Sequence, residues 1–309
     1  MAEQKSFFES LIKSGIHWGH QKSRRNPKMD PYIWGTKNGV SLIDISKTAH
    51  QLEKAAKFLE SVAAEGKQIL WVGTKKPAQD VVHAAATALK MPYVTHRWIG
   101  GSLSNYSQVT KSRTKLLHFE DVLAKAEKYP HYTKKELNVI QKSVDRLNKN
   151  VGGIRNLHWP LGAIVLVDIL KERSALKEAA SMGVPVVALV DTNADPSLVD
   201  FVIPGNDDAP KAIRIVVDFL AEGARKGAAV AHNKPADQKF DETGKEQVDL
   251  TFIEVGTEEE GDKRRPGRRP EAAGVAAPRK KSFDDDRGRS QRPAPRRAPA
   301  AARPKKVQE

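Results

Sequence analysis

Cysteine is absent from all 309 residues, so disulfide frameworks, thiolate metal sites and cysteine nucleophiles are excluded. Aromatic side chains are scarce at 6%. No stretch approaches the roughly 18 consecutive apolar residues that a membrane-spanning helix needs. The opening segment, MAEQKSFFESLIKSG, is mixed and charged and lacks the apolar run and small-residue cleavage site of a secretory signal. Three chemical signatures are also missing. Neither G-x-G-x-x-G nor G-x-x-x-x-G-K-[ST] occurs to cradle a nucleotide phosphate, and no G-x-S-x-G elbow presents a nucleophilic serine. The expectation is a soluble, cytoplasmic protein that is not an enzyme, with no cofactor, no small-molecule substrate and no membrane partner.

What is abundant is positive charge. The chain carries 52 Lys+Arg against 38 Asp+Glu, a formal net charge of +14. Residues 1–231 hold 33 basic and 23 acidic side chains, residues 232–261 hold 3 and 9, and residues 262–309 hold 16 and 6. The last block contains seven prolines and a single aromatic, Phe283. Such a segment cannot bury enough apolar surface to offset the entropy of ordering it, so a disordered tail is expected there. Its Arg/Lys clusters suit salt-sensitive phosphate binding by counterion release; a solvated tail with no fixed partner is the plainer reading. The acidic block before it reads as a spacer linker.

Residues 1–231 read as one domain. Ile69–Val72, Ala163–Val167, Val184–Val190 and Phe201–Ile203 are short apolar runs, separated by segments of helical periodicity. Helices are expected at 46–64, after Pro77, near 171–182 ending at Gly183, and at about 209–226. Near-continuous apolar strands between helices imply a parallel sheet buried on both faces. The expected fold is therefore α/β: a doubly wound, flavodoxin-like parallel sheet of about five strands over residues 66–204. The segment 104–151 breaks this rhythm. Val109, Leu116 and Leu123 recur every seven residues, and after Tyr129-Pro130 come Leu137, Ile140, Val144, Leu147 and Val151. That spacing predicts an inserted antiparallel coiled-coil hairpin with cations outside its seam, Lys111 and Arg113 among them.

Four places carry side chains that could do chemistry. Val72-Gly73-Thr74-Lys75-Lys76 joins a strand to a helix without a nucleotide fingerprint, yet a lysine pair at a helix N-terminus suits an RNA phosphate. Asp191, Asp195, Asp207 and Asp208 follow the last two strands; they read as turn formers and caps, or as paired carboxylates for acid/base work or a cation. His17 and His20 lack a third ligand nearby in sequence, so no metal site is expected from them. Finally, Lys22, Arg24, Arg25 and Lys28 lie in a donor-rich stretch, and Arg97-Trp98 lies in another, beside Gly100-Gly101. Arginine and lysine supply phosphate contacts, and tryptophan can stack on bases or simply pack in the core. The RNA-binding candidates are thus Lys22, Arg24, Arg25, Lys28, Lys75, Lys76, Arg97, Trp98, Lys111 and Arg113.

In order along residues 6–228, GIHWGHQKSRRNPKM, VGTKKPA, HRWIGGSLSN, LGAIVLVDILKERSALKEAASMGVPVVALVDTNADP and FVIPGNDDA together resemble the bacterial small-subunit ribosomal protein two, or S-two, family. The resemblance implies a structural, non-enzymatic component of the ribosome that acts in translation. It implies binding of small-subunit ribosomal RNA on the solvent side, near the junction of head and body. Neighbouring small-subunit proteins are implied as partners, including the mRNA-binding S-one family, which the protein would help to dock. Two departures stand out: Pro160 is followed directly by Leu161-Gly162, a local shift, and the tail beyond about residue 232 lies outside the family core. Two other functions are open on the residues alone: an α/β enzyme acting on a phosphorylated or nucleotide substrate, and a free-standing RNA chaperone working through its tail.

Overall fold

The computed structural model describes residues 2–125 and 133–232. The loop at Tyr129-Pro130, the acidic linker and the basic tail lie outside the described residues. Five apolar runs form the central parallel sheet: β4 (Gln68–Val72), β5 (Tyr93–Val94), β6 (Leu161–Val167), β7 (Val186–Val190) and β8 (Phe201–Pro204), in the spatial order β5-β4-β6-β7-β8. Every residue of β6 and β7 is buried, which accounts for their unbroken apolar sequences.

Alternate residues of each strand feed two separate cores. Ile69, Trp71, Ala163, Val165, Val167, Val187, Leu189 and Ile203 face helices α1 (Ala2–Ser14), α2 (Ile45–Ala64), α3 (Lys76–Leu89) and α7 (Pro210–His232). Leu70, Val72, Ile164, Leu166, Val186, Ala188 and Val190 face helices α4 (Tyr106–Ala124), α5 (Lys134–Val151) and α6 (Arg173–Ser181). Burying each Leu, Ile or Val side chain contributes about 1.5–3 kcal/mol, so the two layers hold the sheet rigid between them.

Local signals start the helices. Asp44 caps α2 by accepting from the Ser46 N–H at 3.0 Å, and Thr133 with Glu136 forms a capping box on α5. On α7 the glycines at 223 and 227 lie directly against α2. A Cβ at Gly227 would stand 2.1 Å from the Glu60 carbonyl oxygen, so only hydrogen fits there.

Helices α4 and α5 pack on one another. Arg113 near the start of α4 reaches the carbonyls of Arg155 and Leu157 beyond the end of α5, while Glu120 further along α4 meets Asn148, so the two run in opposite directions. Val109, Leu116, Val144 and Val151 are buried between them and the body, as their spacing predicts. One detail differs from the heptad reading. Leu123 packs against the same core but stays half-buried, and Val122 beside it is buried as well.

A second sheet lies outside the apolar runs of the sequence. β1 (Trp18–Gln21), β2 (Ile33–Lys37) and β3 (Val40–Ile43) form an antiparallel three-stranded sheet in the order β1-β3-β2. Its strands are short and half exposed, so they carry no apolar run, and Met29 in the loop between β1 and β2 is nonetheless fully buried.

Candidate functional site

The carboxyl ends of β4, β6, β7 and β8 converge, and in open α/β sheets this edge is where ligands bind. Here the chain fills it with its own charges. Lys75, one residue before α3, places its Nζ 2.7 Å from Asp207, 2.6 Å from Asp208 and 3.3 Å from Asp168. The Asp207 side chain is 3% exposed. Burial drives its carboxyl up to about 7, helped by repulsion from Asp168 and opposed by the lysine hydrogen bond. Burial also works against the Lys75 ammonium, but hydrogen bonds to Asp207 and Asp208 outweigh it and hold its pKa well above the usual lysine value.

A second chain of contacts ties the antiparallel sheet to this edge. His20 on β1 lies with Nδ1 3.0 Å from Asp191 and Nε2 3.5 Å from Asp208, and the Asp191 hydrogen bond raises its pKa. The His20 N–H donates to the Thr192 hydroxyl at 2.9 Å, and the Asn26 N–H donates to the Thr192 carbonyl at 2.8 Å. On the other side, buried Glu172 accepts from the Thr74 N–H and hydroxyl, while Lys171 donates to the Thr74 carbonyl at 2.9 Å. Ligand atoms of His20, Asp191 and Asp208 all lie within 4.8 Å of one another, so one imidazole and two carboxylates could hold a small divalent cation. Residue spacing alone could not reveal this group, since two of its three members lie more than 170 positions from His20.

The carboxylates of this edge divide by role. Asp195 is a cap, accepting from the Ser197 N–H, and Asn206 accepts from the Asp208 and Ala209 N–H groups. Asp207 caps nothing and turns inward to Lys75. Capping thus accounts for Asp195 among the four acids, Asn206 caps beside them, and Asp207, the most perturbed, is left out.

The ten basic and aromatic candidates differ in whether the protein itself occupies their donors. Lys22 and Arg24 stand exposed on a short 3-10 turn, and Lys76, Arg97 and Lys111 are exposed as well. None of these five makes an ion pair among the described residues. Arg25 pairs with Asp30, and Lys28 bonds Asp195 and Ser197, both at 2.8 Å. The Lys28 contact pulls the Asp195 carboxyl down to about 2. Three others spend their donors inside the protein: Lys75 as above, Arg113 on the carbonyls of Arg155 and Leu157, and Trp98 on Glu178. Trp98 is 8% exposed and belongs to the core, the plainer of its two readings. The loop 22–28 and Lys75 meet at one edge through Asp195, Asp191 and Asp208, whereas Arg97 follows β5 and Lys111 lies on α4.

Glu178 on α6 escaped the sequence reading, because nothing in KERSALKEAAS distinguishes it from a solvated helix acid. Its carboxylate accepts from the Trp98 Nε1–H at 3.1 Å, the Gly101 N–H at 2.8 Å and the Leu103 N–H at 3.1 Å. Burial opposes its charge, but these hydrogen bonds prevail and lower its pKa. The only hint lay in Gly100-Gly101, where successive amides can form an anion-binding nest. Glu178→Ala is expected to cost about 2 kcal/mol by leaving buried donors unsatisfied. Hydrogen exchange should then accelerate in 98–104 well before global unfolding; unchanged protection would show that the loop holds itself.

Comparison with known proteins adds an independent line. Residues 11–227 match the family model described as Ribosomal protein S2. The small ribosomal subunit protein uS2 of Cytophaga hutchinsonii is 41% identical over 249 residues, covering 80% of this chain and 98% of that protein. The uS2 of Koribacter versatilis is 40% identical over 252 residues, 82% of this chain and 83% of the relative. That of Amoebophilus asiaticus is 40% identical over 241 residues, 78% and 77% respectively. No helix among the described residues is long and apolar enough to cross a membrane.

Proposed function

This chain belongs to the ribosomal protein S2 family, and on that premise we propose that it is a structural constituent of the small ribosomal subunit that grips ribosomal RNA through cationic loops. Members of this family are non-enzymatic parts of a ribonucleoprotein, and their work is in translation. The observation that carries the RNA reading is the division of charge at the strand ends. Inside the crevice Lys75 is taken up by Asp168, Asp207 and Asp208, while Lys22, Arg24 and Lys76 around it remain exposed and without ion pairs among the described residues. A surface of that kind offers cations to a phosphate backbone and leaves little room for a substrate at the edge where an α/β enzyme would hold one. Lys28 and Arg25 lie beside these contacts, and Arg97 and Lys111 extend the reach toward α4.

The finer parts of the proposal follow the resemblance. The strand order β5-β4-β6-β7-β8 supports a flavodoxin-like winding, and α4 with α5 acts as a coiled-coil arm toward a further partner. The protein sits near the head–body junction in the cytoplasmic ribosome and helps to dock the S-one protein. The basic tail adds a salt-sensitive contact with RNA.

Sucrose-gradient sedimentation of a lysate tests this directly. The full chain is expected with small subunits. A Lys22→Glu/Arg24→Glu/Lys76→Glu variant should lose occupancy and show a weaker salt dependence, by up to roughly 0.7–0.9 in the log–log slope for each phosphate contact removed. A chain ending at Ala231 should dissociate at lower salt. Full occupancy of the triple variant would take these three cations out of the interface, and a chain sedimenting free would remove the ribosomal role.

A further inference from the structure

A cleft of about 420 Å³, lined by none of Lys75, Asp168, Asp191, Asp207 or Asp208, lies between α3, the edge strand β5, and the end of α5. We propose that it takes one ribonucleoside monophosphate unit, an inference that rests on the RNA-binding reading and deepens it.

Charge is the first observation. The cleft is lined by His83, His96, Lys149 and Arg155, with no aspartate or glutamate in its wall. The smaller cleft beside His20, about 280 Å³, is by contrast lined by Asp191 and Asp208. His83, His96 and Lys149 make no ion pair among the described residues. Arg155 uses Nη2 alone, on Glu120 and Asn148, which leaves its Nε and Nη1 donors for a ligand. An anion entering here meets uncommitted donors, and the nearest carboxylate the contacts show, Glu120, is held by Arg155 outside the wall.

Size and polarity are the second. The volume lies at the lower end of the range for small-molecule sites and is far larger than a phosphate alone would fill. The Asn150 amide and the Gln79 Oε1 lie in the wall to meet the polar edge of a base or a ribose, while the Gln79 Nε2 donates to the Thr74 carbonyl and the Asn148 amide is held by Glu120 and Arg155.

The third is a wall held in place. The His83 and Tyr93 rings meet edge to face, with centroids 4.9 Å apart. Gly153 presses on the same tyrosine: a Cβ there would come 2.3 Å from the Tyr93 carbonyl oxygen and 2.7 Å from its ring. The floor of the cleft therefore depends on a residue with no side chain, and the ring beside it cannot swing in to fill the space.

The unit could arrive as a free nucleotide or as one residue of an RNA strand, and titration of the full chain followed by amide NMR separates them. 5′-AMP and 5′-UMP are expected to saturate with shifts centred on 79–96 and 148–155, and a Lys149→Ala/His96→Ala variant should bind about tenfold more weakly. Lys22→Ala/Arg24→Ala serves as the control, since it weakens the strand-end RNA surface and should leave this cleft intact. A single-stranded hexanucleotide that binds more tightly than the mononucleotides, with the same shifts, identifies an RNA strand as the source; equal affinity identifies free nucleotide. Absence of saturation, equal response to inorganic phosphate, or an unaffected double variant would overturn the proposal while leaving the subunit assignment standing.

Discussion

A Gly227→Leu chain is expected to lose about 3 kcal/mol of stability, at the upper end of what overpacking costs. Helix propensity alone argues the other way, since any ordinary residue is favoured over glycine inside a helix by up to about 1 kcal/mol. The contact decides the sign. At this position a Cβ would stand 2.1 Å from the Glu60 carbonyl oxygen and 2.9 Å from the Ala63 Cβ, and both belong to α2 rather than to a flexible side-chain end. One turn earlier, a Cβ at Gly223 would stand 2.8 Å from the Ala56 oxygen. The two helices meet backbone to backbone, and a leucine can enter only by prising them apart and opening the core beneath. That core includes Leu52, Leu59, Val216 and Leu220, all almost wholly buried. Urea denaturation followed by circular dichroism should show the lowered midpoint, with Gly227→Ala falling between wild type and leucine. A midpoint equal to wild type for the leucine variant would mean that α7 can slide without loss.

Removing the Lys75 ammonium should cost roughly 3–5 kcal/mol near neutral pH, because it takes the facing cation away from the buried Asp168 and Asp207 carboxyls. In Lys75→Ala, Asp168, Asp207 and Asp208 would face one another across the space that the ammonium holds. The size of the loss depends on pH, and its direction can be worked out. Burial pushes the Asp207 carboxyl up to about 7 in the folded chain against 3.8 for an ordinary aspartate, so between those values the folded state binds more protons than the unfolded one. Stability from this group is therefore fullest below about 4 and declines as pH rises through 7. His20, also raised, adds stability below its ordinary 6.5 that fades as pH climbs through its folded value. In Lys75→Ala the loss should shrink toward pH 4, where Asp207 is neutral, and widen toward pH 8. Asp207→Asn, which removes the charge and keeps an oxygen for the lysine, should flatten the wild-type slope across the same interval. A stability difference between wild type and Lys75→Ala that does not vary from pH 4 to pH 8 would refute this account.

How much of this was legible in the sequence depended on which physical signal each element carries. The runs at Ile69–Val72 and Ala163–Val167 announced themselves because a strand buried on both faces must be apolar throughout. Strand β5 is only two residues long, too short for any pattern, and β1 is the polar segment WGHQ, held by its ladder and by Thr192. Exposed cations such as Lys22 and Lys76 were found because composition reports them. The inward turn of Asp207 and the grip of Glu178 on 98–104 were not, because each depends on a partner 70 or more positions away. Local motifs show caps and turns; they do not show which acids the fold will close over.

The two margins of the parallel sheet bear on how this protein behaves before it meets its RNA. The β5 margin is two residues long, and the turn at Gly153 lies against the Tyr93 carbonyl. The β8 margin ends in Pro204, which has no amide hydrogen and whose carbonyl accepts from the Thr48 hydroxyl at 2.7 Å. Each brink is thus short and partly stoppered, so newly made copies colliding at high concentration find little backbone on which to zip into fibrils or amorphous clumps.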